Sequence, residues 1–188
     1  MAFIGKSGSG KTTLINLLIG LLVPQNGEIF LNDMLVENVS SITNKIAYLP
    51  QNPFLLDATL KNNIAMGIAE EKIDIELLSE CIDKAKLSDL VEKSPDGINL
   101  EVGENGSLLS GGQRQRVILA RAFYFNREII IMDESTNALD KSTEDQIMNE
   151  ITLLKGEITI LMITHKENIS TYADNIYAVD NGEITKIK

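Results

Sequence analysis

The residues best suited to chemistry lie close to the first residue of the chain. Gly5-Lys6-Ser7-Gly8-Ser9-Gly10-Lys11-Thr12 satisfies the pattern G-x-x-x-x-G-K-[ST]. Gly5, Gly8 and Gly10 let the backbone curl so that several N–H groups converge on one anion. The next helix turns its positive end toward the same point. Lys11 reaches the β- and γ-phosphates of a nucleoside triphosphate, and the Thr12 hydroxyl suits Mg²⁺. Ser7, Ser9 and Thr13 complete the candidate phosphate-binding set.

A second constellation closes an aliphatic run. Ile129-Ile130-Ile131-Met132-Asp133-Glu134 reads as a strand buried on both faces that ends in two carboxylates. In an open parallel sheet, ligands bind beyond the carboxyl ends of the strands, which places both groups near the phosphates. Asp133 suits Mg²⁺, directly or through water. Glu134 suits polarisation of the attacking water. A third group, Leu109-Ser110-Gly111-Gly112-Gln113-Arg114-Gln115-Arg116, opens a helix. Ser110 is a good N-cap, and the paired glycines Gly111 and Gly112 let an anion approach the helix N-terminus.

Elements must hold these groups in place. Ala2–Ile4 is an apolar stub before the glycine-rich turn, and residues 11–22 carry a helical stripe of Leu14, Leu17, Leu18 and Leu21. Residues 28–31 and 45–49 read as short strands. Residues 74–92 read as helical with Leu77, Leu78, Ile82 and Leu87 on one face, and residues 113–125 and 141–154 as further helices. Residues 128–132 and 158–163 are buried strands, and 176–179 with 183–187 form a hairpin around Asn181-Gly182. Strands alternating with helices predict an α/β fold with a largely parallel sheet. The expected organisation is one domain over 1–188. Residues 1–66 and 126–188 form its α/β core, and 67–125 form an inserted helical subdomain ending in the helix after Ser110.

Composition narrows the function classes. With 17 Lys and Arg against 27 Asp and Glu, the net charge is −10, and no basic run offsets it, so a nucleic-acid partner is not expected. Cys81 is the single cysteine, which rules out an internal disulfide and reads as a small core residue. The apolar run 14–23 is interrupted by Asn16 and Gly20. It falls short of the roughly 20 apolar residues that span a bilayer. No signal peptide is visible.

Leu109-Ser110-Gly111-Gly112-Gln113 resembles the signature of the ABC ATPases. Further motifs agree in order. Tyr48-Leu49-Pro50-Gln51 resembles the Q-loop, and Asn137-Ala138-Leu139-Asp140 resembles the D-loop, which more commonly begins with Ser. Ile163-Thr164-His165 resembles the switch histidine. Residues 50–64 and Glu101-Val102-Gly103-Glu104 look like the Q-loop region and X-loop of exporters.

The resemblance implies a P-loop NTPase (RecA-like) core with a partial antiparallel β-subdomain. It implies ATP and Mg²⁺ as ligands, with Gln51 sensing the metal and the water, His165 holding the γ-phosphate and Asp140 coupling two sites. It also implies a head-to-tail dimer of ATPase domains, each ATP lying between the phosphate loop of one and Ser110–Gln113 of the other. A transmembrane domain, fused upstream in such exporters, would place the ATPase on the cytoplasmic face of the membrane. The alternatives are a non-catalytic or truncated ATP-binding fragment, and a soluble ABC ATPase of DNA repair or translation. The loop begins four residues from Met1, whereas the family carries upstream strands and an aromatic that stacks on adenine. Phe3 belongs to the strand stub, so the adenine side is expected to be incomplete, with an exposed sheet edge.

Overall fold

A computed structural model describes residues 1–37, 42–134, 141–165 and 171–188. Among these residues, a six-stranded sheet takes the order β4-β5-β6-β1-β7-β8. The strands are β1 (Ala2–Ile4), β4 (Ile46–Leu49), β5 (Ile129–Asp133), β6 (Thr159–Thr164), β7 (Ile176–Asp180) and β8 (Glu183–Lys186). β5, β6, β1 and β7 run parallel to one another, and β8 returns antiparallel to β7. Asn181 and Gly182 both take left-handed φ, 47° and 83°, which is the geometry of a two-residue hairpin turn. A separate hairpin pairs β2 (Phe30–Leu31) with β3 (Met34–Leu35) around Asn32 and Asp33, again both left-handed.

The chain forms two compact units. The first comprises residues 1–48, 127–134 and 156–188. Its core joins Phe3, Ile15, Ile131, Ile163 and Val179, one residue from each of four strands and one from helix α1 (Lys11–Leu18). Aliphatic strands buried on both faces are what a parallel sheet requires. Phe3 is stacked on Tyr177 with ring centroids 5.3 Å apart, so its ring is spent on this core.

Helix α1 stops four residues before the apolar stripe predicts. Gly20 turns left-handed at φ 80°, and the N–H groups of Gly20 and Leu22 donate to the carbonyls of Leu17 and Asn16. A left-handed glycine closing the last carbonyls is a common helix stop. Leu21 is therefore exposed, and Ile15 is the fully buried anchor.

The second unit comprises residues 49–126 and 135–155. It holds α2 (Leu60–Ile64), α3 (Ile75–Lys84), α4 (Ser88–Lys93), α5 (Gly111–Tyr124) and α6 (Lys141–Leu153). The predicted helix over 74–92 is two helices, because Lys86 takes φ 55° and breaks the ladder. Leu78, Ile82 and Leu87 are buried as expected, whereas Leu77 lies on the exposed side. Cys81 is buried in α3, and desolvation pushes its thiol up to about 11. That is the behaviour of a packing residue rather than a nucleophile. Among the described residues, no helix is long and apolar enough to cross a membrane.

Candidate functional site

The sheet register brings the chemistry together. Ile4 pairs with Thr164, and Asp133 pairs with Ile163, so three neighbouring parallel strands end at nearly the same level. The phosphate loop extends from the end of β1, Glu134 from that of β5 and His165 from that of β6. These ends border one cavity of about 200 Å³ lined by Ser7, Gly8, Gly10, Lys11, Thr12, Thr13, Asp133, Glu134, Ile163 and His165.

The loop owes its shape to its glycines. Gly8 and Gly10 take φ 80° and 109°, a region side chains rarely enter. Gly5 is required for a different reason, since a Cβ there would lie 2.2 Å from the Val179 carbonyl oxygen. Gly5 and Ser9 sit behind the loop rather than on the cavity wall. The Ser9 carbonyl accepts from Gly182 N–H at 3.0 Å, and its buried hydroxyl has no partner among the described residues.

Helix α1 begins at Lys11 with Gly10 as its cap and no side chain satisfying its first N–H groups. Those donors point outward from a helix N-terminus, which is a ready anion site. Lys11 is 6% exposed, and its ammonium donates to the carbonyls of Gly5 and Lys6, both at 2.8 Å. The cation is thereby folded over the loop it would share with a phosphate.

Two hard oxygen groups, the Thr12 hydroxyl and the Asp133 carboxylate, line the same cavity. They fit Mg²⁺, which takes one or two protein ligands together with substrate phosphates and water. Tyr48, on β4, donates its hydroxyl to Asp133 Oδ2 at 3.0 Å. Partial burial of the phenol, then the hydrogen bond and the charge of Asp133, push its pKa up to about 12. Local sequence carries no hint of this contact, because it depends on which strand neighbours β5.

Glu134 takes φ 48°, a left-handed conformation that costs a residue with a side chain about 1–3 kcal/mol. Its N–H donates to the Ile163 carbonyl at 3.0 Å, which fixes the turn. The carboxylate meets His165 Nε2. Strain at this point is consistent with a group held for function rather than for folding.

The remaining predicted residues lie in the second unit. Ser110 caps α5 with a reciprocal pair: its Oγ accepts from Gln113 N–H at 3.2 Å, and Gln113 Oε1 accepts from Ser110 N–H at 2.7 Å. Arg114 braces the preceding loop by donating to the Leu109 carbonyl at 2.9 Å. Gln51 lines a cleft of about 330 Å³ with Phe54, Asn105, Gly111 and Arg114. Gly112 is buried within α5. Asp140 and the segment around it lie outside the described residues.

A family model described as ABC transporter matches residues 1–137. This chain belongs to the ABC transporter family. It is 37% identical to the ATP-dependent lipid A-core flippase of Cupriavidus pinatubonensis, covering 99% of this chain and 32% of that protein. It is 39% identical to the ATP-dependent lipid A-core flippase 2 of Colwellia psychrerythraea, covering 98% and 32%. A solved structure of a bacterial Atm1-family ABC exporter with ATP bound superposes with a TM-score of 0.86 at 31% identity, over 96% of this chain and 32% of that one. The chain thus spans about a third of the length of these relatives. Its fold is that of the exporter-type nucleotide-binding domain, an α/β P-loop domain, as the motif order predicts.

Proposed function

We propose that this chain binds ATP and hydrolyses it as the motor domain of an ABC exporter. The observation that carries the reading is the single cavity shared by the phosphate loop, Asp133, Glu134 and His165. In this reading Gly8, Gly10 and the first N–H groups of α1 cradle the phosphates, with Gly5 and Ser9 shaping the loop from behind. Lys11 neutralises charge on the terminal phosphoryl group and His165 holds it, and Thr12 and Asp133 hold Mg²⁺. When bound, the metal supplies charge neutralisation on the β- and γ-phosphates. Glu134 takes the proton of the attacking water, and Gln51 orients that water and senses the metal. Little covalent chemistry is asked of the protein, so rate comes from positioning and charge.

Ser110, Gly111, Gly112 and Gln113 of a second copy complete the γ-phosphate site, and Asp140 couples the paired sites. Such a pair is closed and two-fold symmetric. ATP favours the closed pair, and hydrolysis releases it. Residues 67–125 act as the helical subdomain that carries this signature, inserted between 1–66 and 126–188. A partner transmembrane domain at the cytoplasmic face of the membrane selects the cargo and exports it. The names of the relatives, flippases and an exporter, support export over import.

Phosphate release measured against protein concentration tests the proposal. Rate per molecule should rise with concentration and require Mg²⁺. A rate that stays at background at every concentration would sink the ATPase reading. A concentration-independent rate would sink the dimer.

A further inference from the structure

Asp133 is the metal-binding candidate at the end of β5, and a carboxylate has two oxygens to distribute. One of them is already engaged. Tyr48 on β4 donates its hydroxyl to Asp133 Oδ2 at 3.0 Å. The tyrosine opens the segment that resembles the Q-loop, yet it is not a member of the cavity wall. Its ring is about one-third exposed, so the hydroxyl could have pointed to water at little cost. It points at the carboxylate instead.

We propose that Tyr48 is a positioning residue for the metal site: its hydroxyl fixes the rotation of the Asp133 carboxylate and leaves the second oxygen for the cation. The inference rests on the ATP and Mg²⁺ reading of the cavity. A carboxylate free to rotate must lose that freedom when it binds a metal, whereas one held by a donor has already lost it. The hydroxyl also donates without adding charge, so Asp133 remains an anionic ligand. A phenylalanine at 48 would keep the ring and lose only this donor.

The test compares the unaltered full chain with Tyr48→Phe. Each is saturated with a non-hydrolysable ATP analogue and titrated with Mn²⁺, with free metal read by electron paramagnetic resonance. The variant should bind Mn²⁺ roughly tenfold more weakly, the size of effect expected when a carboxylate ligand loses its supporting hydrogen bond. Its affinity for the analogue without metal should stay within about twofold, because the hydroxyl touches no phosphate-loop group. Thermal melting checks that the variant is folded.

Tyrosine emission is a second readout that needs no substitution, since the chain has four Tyr and no Trp. Metal binding at Asp133 should change that emission in the unaltered chain, and the change should vanish in Tyr48→Phe. Equal Mn²⁺ affinity in the two chains, or an emission change that persists in the variant, overturns the role of Tyr48 alone. If the unaltered chain binds no more Mn²⁺ with the analogue than without it, the metal-nucleotide reading fails and the role of Tyr48 falls with it.

Discussion

His165 and Glu134 meet side chain to side chain just beyond the ends of two neighbouring parallel strands, with imidazole Nε2 against carboxylate Oε1. The contact joins the candidate base to the candidate γ-phosphate ligand. Glu134→Gln keeps the shape and a carbonyl acceptor for His165 but removes the basic oxygen. Turnover should fall by roughly 100-fold or more, the usual scale for a positioned general base. Nucleotide binding should persist and should trap a dimer. Single-turnover phosphate release and light scattering measure the two effects, and near-normal turnover would remove Glu134 from the role of base.

Lys11 is nearly buried, and its ammonium bridges two loop carbonyls at 2.8 Å each. Lys11→Ala therefore takes away both the charge offered to the phosphates and a brace of the loop itself. Affinity for ATP should drop about tenfold or more, in line with the loss of charge-assisted hydrogen bonds. Calorimetric titration decides this, and an unchanged affinity would count against the phosphate loop as the binding site.

Two glycines of the same loop should respond differently to a methyl group. At Gly5 the added Cβ meets the Val179 carbonyl at 2.2 Å, a backbone atom of β7 that has no rotamer to escape into. Gly5→Ala should destabilise the chain by roughly 1–3 kcal/mol and displace the loop. At Gly8 the Cβ enters open space, and only the left-handed φ of 80° is strained. Gly8→Ala should cost about 1 kcal/mol and leave the sheet intact. Urea unfolding of both variants reads the difference, and a larger loss at Gly8 would mean that backbone strain outweighs the clash.

The contrast shows what sequence can and cannot disclose. Gly5, Lys11 and Thr12 are legible because a phosphate loop is built from adjacent residues, and adjacency is what a sequence records. Asp133 and Glu134 are legible because an aliphatic run ending in carboxylates marks the end of a buried strand. The strand order is not written locally, so the contacts that depend on it are out of reach: Tyr48 with Asp133, and Gly5 against Val179. Helix ends escape the pattern where one residue changes hand. Apolar periodicity runs on past Gly20 and past Lys86, while the backbone does not. Leu77 is exposed for another reason: it lies in α3 beside Leu78 but on the side of the helix away from the buried Leu78, Cys81 and Ile82.

Cys81 gives a prediction in pH. Burial raises its thiol from the ordinary value of 9.0 to about 11 in the folded chain. Between those values the unfolded chain has released the proton and the folded chain has not. The unfolded state then binds fewer protons, so stability falls as pH rises through that window. The contribution is fully present below pH 9.0 and is lost above about 11. Chemical denaturation across alkaline pH should show this fall in the unaltered chain, and a shallower one in Cys81→Ala. A thiol reagent at neutral pH should label Cys81 only when denaturant is added. Rapid labelling of the folded chain would show that the thiol is accessible after all.

Asn63 is a heavily bonded buried side chain of the second unit. Its Oδ1 accepts from Leu56 N–H at 2.8 Å, and its Nδ2 donates to the carbonyls of Leu56, Thr59 and Ala58 at 3.1, 3.0 and 3.4 Å. Its backbone carbonyl accepts from the buried Arg121 guanidinium of α5 at 2.8 Å, so the turn before α2 and the helix after Ser110 are tied at one residue. Asn63→Ala would take from Leu56 the partner of both its N–H and its carbonyl, whereas the Ala58 and Thr59 carbonyls keep the N–H groups of Val102 and of residue 63. It should cost about 3 kcal/mol, the scale for stranding more than one buried polar group. Asn63→Asp separates hydrogen bonding from size. It keeps the acceptor for Leu56 but replaces the donor with an anionic oxygen facing carbonyls. At neutral pH it should be at least as damaging as Ala, and less so in acid, where the protonated acid regains one donor. Denaturation of both variants at two pH values measures this. Equal losses for Asp in acid and at neutral pH would show that Asn63 contributes its volume rather than its hydrogen bonds.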